Sequence, residues 1–464
     1  MITGNKSAAD IAHLMRRAGF GLSIDELEIY LDLDYESIVD QLVEPKSVTD
    51  VEDDILERYY VGEHFNIKVG EWLYRMLNSR RQLQEKMVLF WHQVFATGIS
   101  KNEHILSATN QIEMFRQNGM SSFRQILTEL SKDPAMIFWL DNNENRLNEP
   151  NENYGRELLE LFSMGAGNYT ENDVKMAAKA FTGWTFTQPI PLYPYGYYPA
   201  HFKKLDHDHD DEIKTFLGMS GNFDGEEIIE IIVKQPATAI FLARHLYNFF
   251  VADEPQVPAW PIEPPCDPEA IKILVTAYFE SDGDISSILH TLFTSQFFKD
   301  AKFSKIKSPI ELVTGVLKTV GTFKDVEPDL MKYATVTELM GQTLFDPPSV
   351  EGWHTGKEWI DGGTINERIN FAVAELNDLS KPGITRIMDR IEIERPISSE
   401  DLVTLCLKLM GELSVGEETK ETLTEYVEST ITLDFSSEDT RKTTSLMILK
   451  ILQLIVSSHE YQFA

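Results

Sequence analysis

The chain has 464 residues, 42% of them hydrophobic, and carries 42 basic against 74 acidic side chains, for a net charge of −32. That charge repels phosphate backbones and anionic lipid, so nucleic acid and acidic membrane surfaces are excluded as partners, while divalent cations and basic partners stay open. Two cysteines, Cys266 and Cys406, are too few for a disulfide framework, and no apolar run reaches the roughly 18 residues of a membrane span.

The opening residues, MITGNKSAADIAHLMRRAGFG, hold no apolar run of signal-peptide length, and a cytoplasmic location is expected on that ground. Residues 8–18 have helical spacing in Ile11, Leu14 and Met15 and break at Gly19 and Gly21. Ser23 followed by Glu26 reads as a capping box that starts a second helix. A run over 69–77 leads into a longer one over 82–97, where Leu83, Met87, Phe90, Trp91 and Val94 form a wide apolar stripe. Helical patterns continue over 104–118, 121–130 and 134–140.

Next comes the polar stretch DNNENRLNEPNENYGRELLELFSMGAGNYTENDVKMAAKAFTGW, residues 141–184. Pro150 bars helix before it, Asn151 is a plausible N-cap, and Gly165 is a natural stop, so a helix is expected over 152–164. Tyr154, Leu158, Leu161, Phe162 and Gly165 fall on one side of it; Glu152, Asn153, Arg156, Glu157 and Glu160 gather on the other. Thr170 with Asp173 starts the following helix in capping-box style, and Gly183 can end it.

Residues 185–218 are rich in Pro and Tyr, which fits a long loop or a small hairpin lying over the helices. Helices resume over 225–233, 236–250, 268–280, 285–294 and 309–320, with a Pro-rich linker at 254–268. The run 331–345 ends in the aromatic turn DPPSVEGWHTGKEWI. Beyond Lys381-Pro382-Gly383 the composition turns more acidic and less aromatic, with amphipathic helices over 399–413, 418–429 and 438–458. No internal repeat or low-complexity tract is present. The expected fold is all-α: a multi-helix domain over 1–380 and an acidic helical appendage over 381–464 packed on it.

Candidate chemistry concentrates at four places. Asp141, Asn143, Asn145 and Glu152 stand at calcium-loop spacing, with Glu149 at the water-mediated position, although Arg146 occupies the place of the required glycine. The bland reading is an Asx-rich loop that caps the next helix. His92 borders the apolar stripe of its helix; such histidines are usually hydrogen-bonded core residues, but facing Glu157 and Glu160 it would complete a site of the kind built inside helical bundles. The competing reading of that acidic face is a wet helix surface with Glu152–Arg156 and Arg156–Glu160 pairs. The run Asp206-His207-Asp208-His209-Asp210-Asp211 could ligate Zn²⁺ or Mn²⁺, or be an exposed acidic loop. Trp353 and Trp359 could form a sugar-stacking platform, or be core corners. No GxSxG, P-loop, Rossmann glycine pattern, HExxH or CxxC occurs, which argues against nucleotide-dependent and α/β-hydrolase chemistry.

Many ordered motifs make the chain resemble the bacterial and archaeal family known as domain of unknown function 1800. They are HLMRRAGFG, MVLFWHQVFATG, DPAMIFWLDN, NENYGRELLELFSMGAGNYTENDVKMAAKAFTGW, His209-Asp210 with KTFLG, SPIELV, GQTLFDPPSVEGWHTGKEWI with Arg368 beyond, and the closing HEYQF. The resemblance implies a helical fold without an established activity, encoded beside a protein related to sulfatases and alkaline phosphatases, often with an export signal. It also implies shared residues: His92, Asp141, Asn151, Glu152, Asn153, Arg156, Glu157, Glu160, His209 and Asp210. Many relatives carry a second His at the position of Val94, and some carry one at Phe162. Two readings follow. The first is an enzyme in which His92, Arg156, Glu157 and Glu160 are catalytic, with Asp141, Glu152, Glu157, Glu160, His209 and Asp210 holding a divalent cation (Ca, Mn, Zn or Mg). Arg156 there would be an anion anchor, and Glu157 or Glu160 a ligand or general base. The second is a non-catalytic helical protein that binds the sulfatase/phosphatase-like neighbour.

Overall fold

A computed structural model describes residues 8–62, 64–102, 104–187, 199–394, 398–430 and 433–464. Among them are 24 α-helices and two two-stranded antiparallel sheets, so the fold is all-α apart from these hairpins. The first hairpin pairs Trp184 with Lys204 and Phe186 with Phe202; the second pairs Lys214 with Gly221. Both fall in the Pro/Tyr-rich segment, whose residues 188–198 lie outside the described ones. Among the described residues no helix is long and apolar enough to cross a membrane.

Local capping sets the helix boundaries. Ser23 and Glu26 exchange both bonds of a capping box, as do Thr170 and Asp173. The helix Asn153–Glu160 is shorter at both ends than its periodicity predicts. Asn151 accepts the amide of Asn153, so its carboxamide caps that start while Glu152 occupies the cap position. At the other end the amides of Met164 and Gly165 turn back to the Leu159 carbonyl, and left-handed Gly165 closes the turn.

The helices are joined at a buried carboxylate. Glu311, in the first turn of Pro309–Val320, takes Arg17 Nη1 at 2.8 Å and Lys86 Nζ at 2.5 Å on one oxygen. Its other oxygen accepts the Ser308 amide at 2.7 Å. Arg17 ends the helix Ala8–Arg17 and also donates to the carbonyls of Phe249 and Phe250, at the end of Pro236–Phe250. Lys86 projects from Gln82–Val94 and donates to the Gly19 carbonyl at 2.9 Å. Four helices therefore meet on one charged group.

The helices Pro382–Glu394, Ser399–Leu409, Glu417–Thr430 and Glu438–Val456 follow. Gly383 rests against the Thr319 carbonyl so closely that any Cβ would collide with it. Arg386 pairs with Asp25 and Arg390 with Glu28, and Ile384, Leu402, Ile448 and Leu452 join the same apolar cluster as the preceding helices.

Removing the Glu311 charge leaves Arg17 and Lys86 buried and uncompensated. Glu311→Gln is expected to lower unfolding free energy by about 3–5 kcal/mol, read from the urea midpoint at constant m. A loss under about 1 kcal/mol would show that the pair is not holding these helices.

Candidate functional site

The helix Asn153–Glu160 buries Tyr154, Leu158 and Leu159 and packs on Glu171–Ala180. Gly155 allows this, since a Cβ there would stand 3.0 Å from the Ala178 amide nitrogen. The opposite face carries the charges. Arg156 binds Glu171 through two nitrogens, at 2.9 and 2.7 Å, and Glu152 at 3.2 Å. Its fork is committed to these partners rather than to an anion. Glu160 accepts the Tyr169 hydroxyl at 2.9 Å. Glu157, half-buried, has no hydrogen bond or ion pair through its side chain among the described residues. Burial, with the charges of Glu160 and Glu351, pushes its carboxyl up to about 7 against the pull of Arg156.

Glu351 arrives from the aromatic turn nearly two hundred residues away. His92 fixes that turn from beneath: its Nε2 accepts the Phe345 amide at 3.0 Å, and its ring packs on Trp72, Phe345 and Trp353. Phe345 sits at φ 63, a left-handed conformation that a phenylalanine adopts only when its surroundings enforce it. Gly352, at φ 91, lies against the Gln93 carbonyl with no room for a Cβ. His92 is 1% exposed, and burial lowers its pKa to about 3, so the ring is neutral. It therefore positions the turn and meets no solvent. Trp353 and Trp359 are core corners, 4% and 3% exposed.

Glu160 and Glu351 line a groove of about 170 Å³ whose wall is Met164, Phe241 and Trp260. Arg244 forms its base. The guanidinium stacks on Trp260 at 4.6 Å and pairs through Nε with buried Glu254 at 2.7 Å, while Nη2 has no partner among the described residues. His245 packs at a steep angle against both Phe241 and Trp260, with ring centroids at 4.4 and 4.6 Å, and lines an adjoining pocket shared with Glu351 and Trp353. Burial, then the Arg244 charge, lowers its pKa to about 3. Sequence periodicity gave no notice of Arg244, Glu254 or Glu351. The one available signal for Glu351 was its place in the polar-aromatic turn.

The other sequence candidates stand elsewhere. Asp141 is left-handed, at φ 56, and pairs with Lys101 at 2.8 Å. The Asn-rich loop behind it spends its amides on backbone: Asn142 on the Trp184 carbonyl, Asn145 on that of Ala178. Glu152 is held by Arg156. His209 Nδ1 donates to the Thr182 carbonyl at 2.9 Å, and Asp210 pairs with Lys179 at 3.1 Å while accepting the Glu212 amide. These bonds tie the first hairpin to the end of Glu171–Ala180. Among the described residues no three His, Cys, Asp or Glu side chains gather closely enough to share a metal ion. The structure brings together Glu157 and Glu160, adds Glu351, and leaves Asp141 and His209-Asp210 in bonds of their own.

The raised pKa of Glu157 makes a stability prediction. Its folded value lies above the unfolded one, so its contribution is full below about 4.3 and is lost as pH rises through about 7. Glu157→Gln mimics the protonated form and should be more stable than the parent chain at pH 8 and equal to it at pH 4, by urea unfolding at both. A variant less stable at pH 8 would show that the ionised carboxylate is favoured in the fold.

Compared with known families, the chain matches over residues 13–463 the family described as "Protein of unknown function (DUF1800)", and it belongs to that family. No curated protein and no solved structure matches it.

Proposed function

We propose that this member of the DUF1800 family is an enzyme in which Glu157 exchanges a proton with a substrate held in the Glu160–Arg244–Trp260 groove. The observation that supports it most is half-buried Glu157, its carboxyl raised by burial and by the charges of Glu160 and Glu351, two residues that line the groove. A carboxyl with a pKa of about 7 is half ionised at neutral pH, the condition under which one group both gives and takes a proton efficiently. Burial keeps that proton on Glu157, and the charges of Glu160, oriented by Tyr169, and Glu351, on the His92-supported turn, add to it. The free Nη2 of Arg244 offers one donor to a substrate oxygen, and Phe241, Trp260 and Met164 offer an apolar wall. The reaction class that suits these parts is hydrolysis of a small, partly apolar ester or glycoside: Glu157 protonates the leaving oxygen as its bond to carbon breaks and, once ionised, takes a proton from the water whose oxygen forms the new bond to that carbon.

A divalent cation fits this set poorly. Hard cations take about six oxygens or more, whereas Glu160 is engaged by Tyr169 and no third acidic or imidazole ligand closes on the pair. Arg156 serves in this reading to hold the helix to Glu171, and His92 to hold the turn. A second reading draws on the same wall: Ile240 beside the groove is 47% exposed, which suits a seat for a segment of a sulfatase/phosphatase-like partner.

The test is a panel of chromogenic esters, glycosides and phosphate monoesters run from pH 5 to 9. Turnover with an inflection near 7 is expected, falling at least about 100-fold in Glu157→Gln. In Glu351→Gln the inflection should move to lower pH, because a like charge has been removed. Added chelator should leave the rate unchanged. Turnover that survives in Glu157→Gln would remove that residue from the chemistry.

A further inference from the structure

A second cavity, of about 250 Å³, lies away from the groove, between the helices Ala8–Arg17, Ile24–Leu31 and Pro309–Val320 and the C-terminal helices. Its walls include Ala12, Leu22, Leu27, Leu31, Met410 and Leu413, and its floor is cationic. Arg16 spends Nη1 on the Gly411 carbonyl at 2.6 Å and lies over the Phe303 ring at 4.6 Å. Its Nε and Nη2 are buried and have no partner among the described residues. Lys307, 8% exposed, donates to the Tyr461 carbonyl at 2.7 Å and lies over that ring at 4.0 Å, with no carboxylate paired to it. Behind them Arg368 donates to the Lys307 carbonyl, and its Nη1 is likewise buried without a partner.

Of the carboxylates lining the cavity, Glu394, Glu412 and that of Ala464 make no ion pair among the described residues, although the Glu412 charge acts on Arg16, and the others are taken. Glu311 is taken by Arg17 and Lys86, and Glu28 at the rim by Arg390. Glu412 makes no ion pair with Arg16 among the described residues. Burial, then Arg16 and Arg368, drive the Lys307 pKa well below the lysine range against the pull of Glu311. Such a floor, in a chain of net charge −32, is stabilised by an anion from outside.

Gly315 points the same way from packing. It stands in the middle of Pro309–Val320, where glycine weakens a helix relative to alanine. A Cβ there would meet only the Phe20 carbonyl oxygen, at 3.9 Å, so no neighbour forbids a side chain. What the missing side chain leaves is open cavity.

We propose that this cavity binds a medium-chain fatty carboxylate, its head on Arg16 and Lys307 and its chain along the leucine wall beside Gly315. The carboxylate accepts from the free Nε and Nη2 of Arg16 and from Lys307 Nζ. A space of about 250 Å³ takes a single hydrocarbon tail of that class.

The test is calorimetric titration of the full chain with decanoate below its micellar concentration, with acetate and inorganic phosphate as headgroup-only probes. One saturating site is expected for decanoate and none for acetate or phosphate in the same range. Gly315→Leu fills the cavity while keeping every charge, and should weaken binding at least about tenfold, whereas Gly315→Ala should retain it. Arg16→Gln should weaken it comparably; should that variant fail to fold, the Gly315 pair still decides. Absence of decanoate binding, undiminished binding in Gly315→Leu, or equal binding of acetate or phosphate would each overturn the proposal.

Discussion

One buried carboxylate ties together four helices of this fold. Glu311 receives Arg17 and Lys86 on the same oxygen and the Ser308 amide on the other, so it is at once an ion-pair partner and half of a helix cap. Taking three charged side chains out of water carries a desolvation penalty that the Coulombic attraction offsets only with close geometry and complete hydrogen bonding. Both conditions are met here, because Arg17 spends its remaining donors on Phe249 and Phe250 and Lys86 one of its own on Gly19. Once any of these partners shifts, a charge is left buried alone. The relative register of four helices is thereby set by satisfaction of polar groups rather than by apolar contact, which tolerates sliding.

Two of those helices carry the site. Gln82–Val94 delivers His92 to the Phe345 amide, and Pro236–Phe250 delivers Arg244 and His245 to the groove. Left-handed Phe345 is a strained position supported by this packing, Gly352 allows the close approach to the Gln93 carbonyl, and together they bring the charge of Glu351 to bear on Glu157. Like charges set beside a half-buried carboxyl lower stability while making its proton available at neutral pH. Tolerated strain and charge repulsion at one place are a usual mark of function, where local rules yield to chemistry.

The sequence announces what is local. The two capping boxes read from the sequence, at Ser23–Glu26 and Thr170–Asp173, have partners three residues apart. The Glu152–Arg156 pair was readable too, one turn apart on a helix face. His92 was visible as a residue at the edge of an apolar stripe, but its acceptance of an amide from residue 345 was not. Arg156 turned to Glu171 rather than Glu160 because the following helix packs back across Gly155, a contact that periodicity does not encode. The spacing from Asp141 to Glu152 resembles a cation loop; in three dimensions Asp141 turns to Lys101 and the asparagines to backbone carbonyls. Arg244 and Lys307 gave no signal, since their importance comes from burial and from residues distant in the chain, and Glu351 gave only its place in the aromatic turn.

The claim on which the rest turns is that Glu157, raised by burial and then by the charges of Glu160 and Glu351, holds a proton near neutrality. The direct measurement is a ¹³C NMR pH titration of the glutamate side-chain carboxyls in selectively labelled protein, with Glu157→Gln to assign the signal. The geometry predicts one carboxyl with a midpoint near 7, absent from the variant. A spectrum in which every glutamate titrates around the ordinary value of about 4.3 would contradict it.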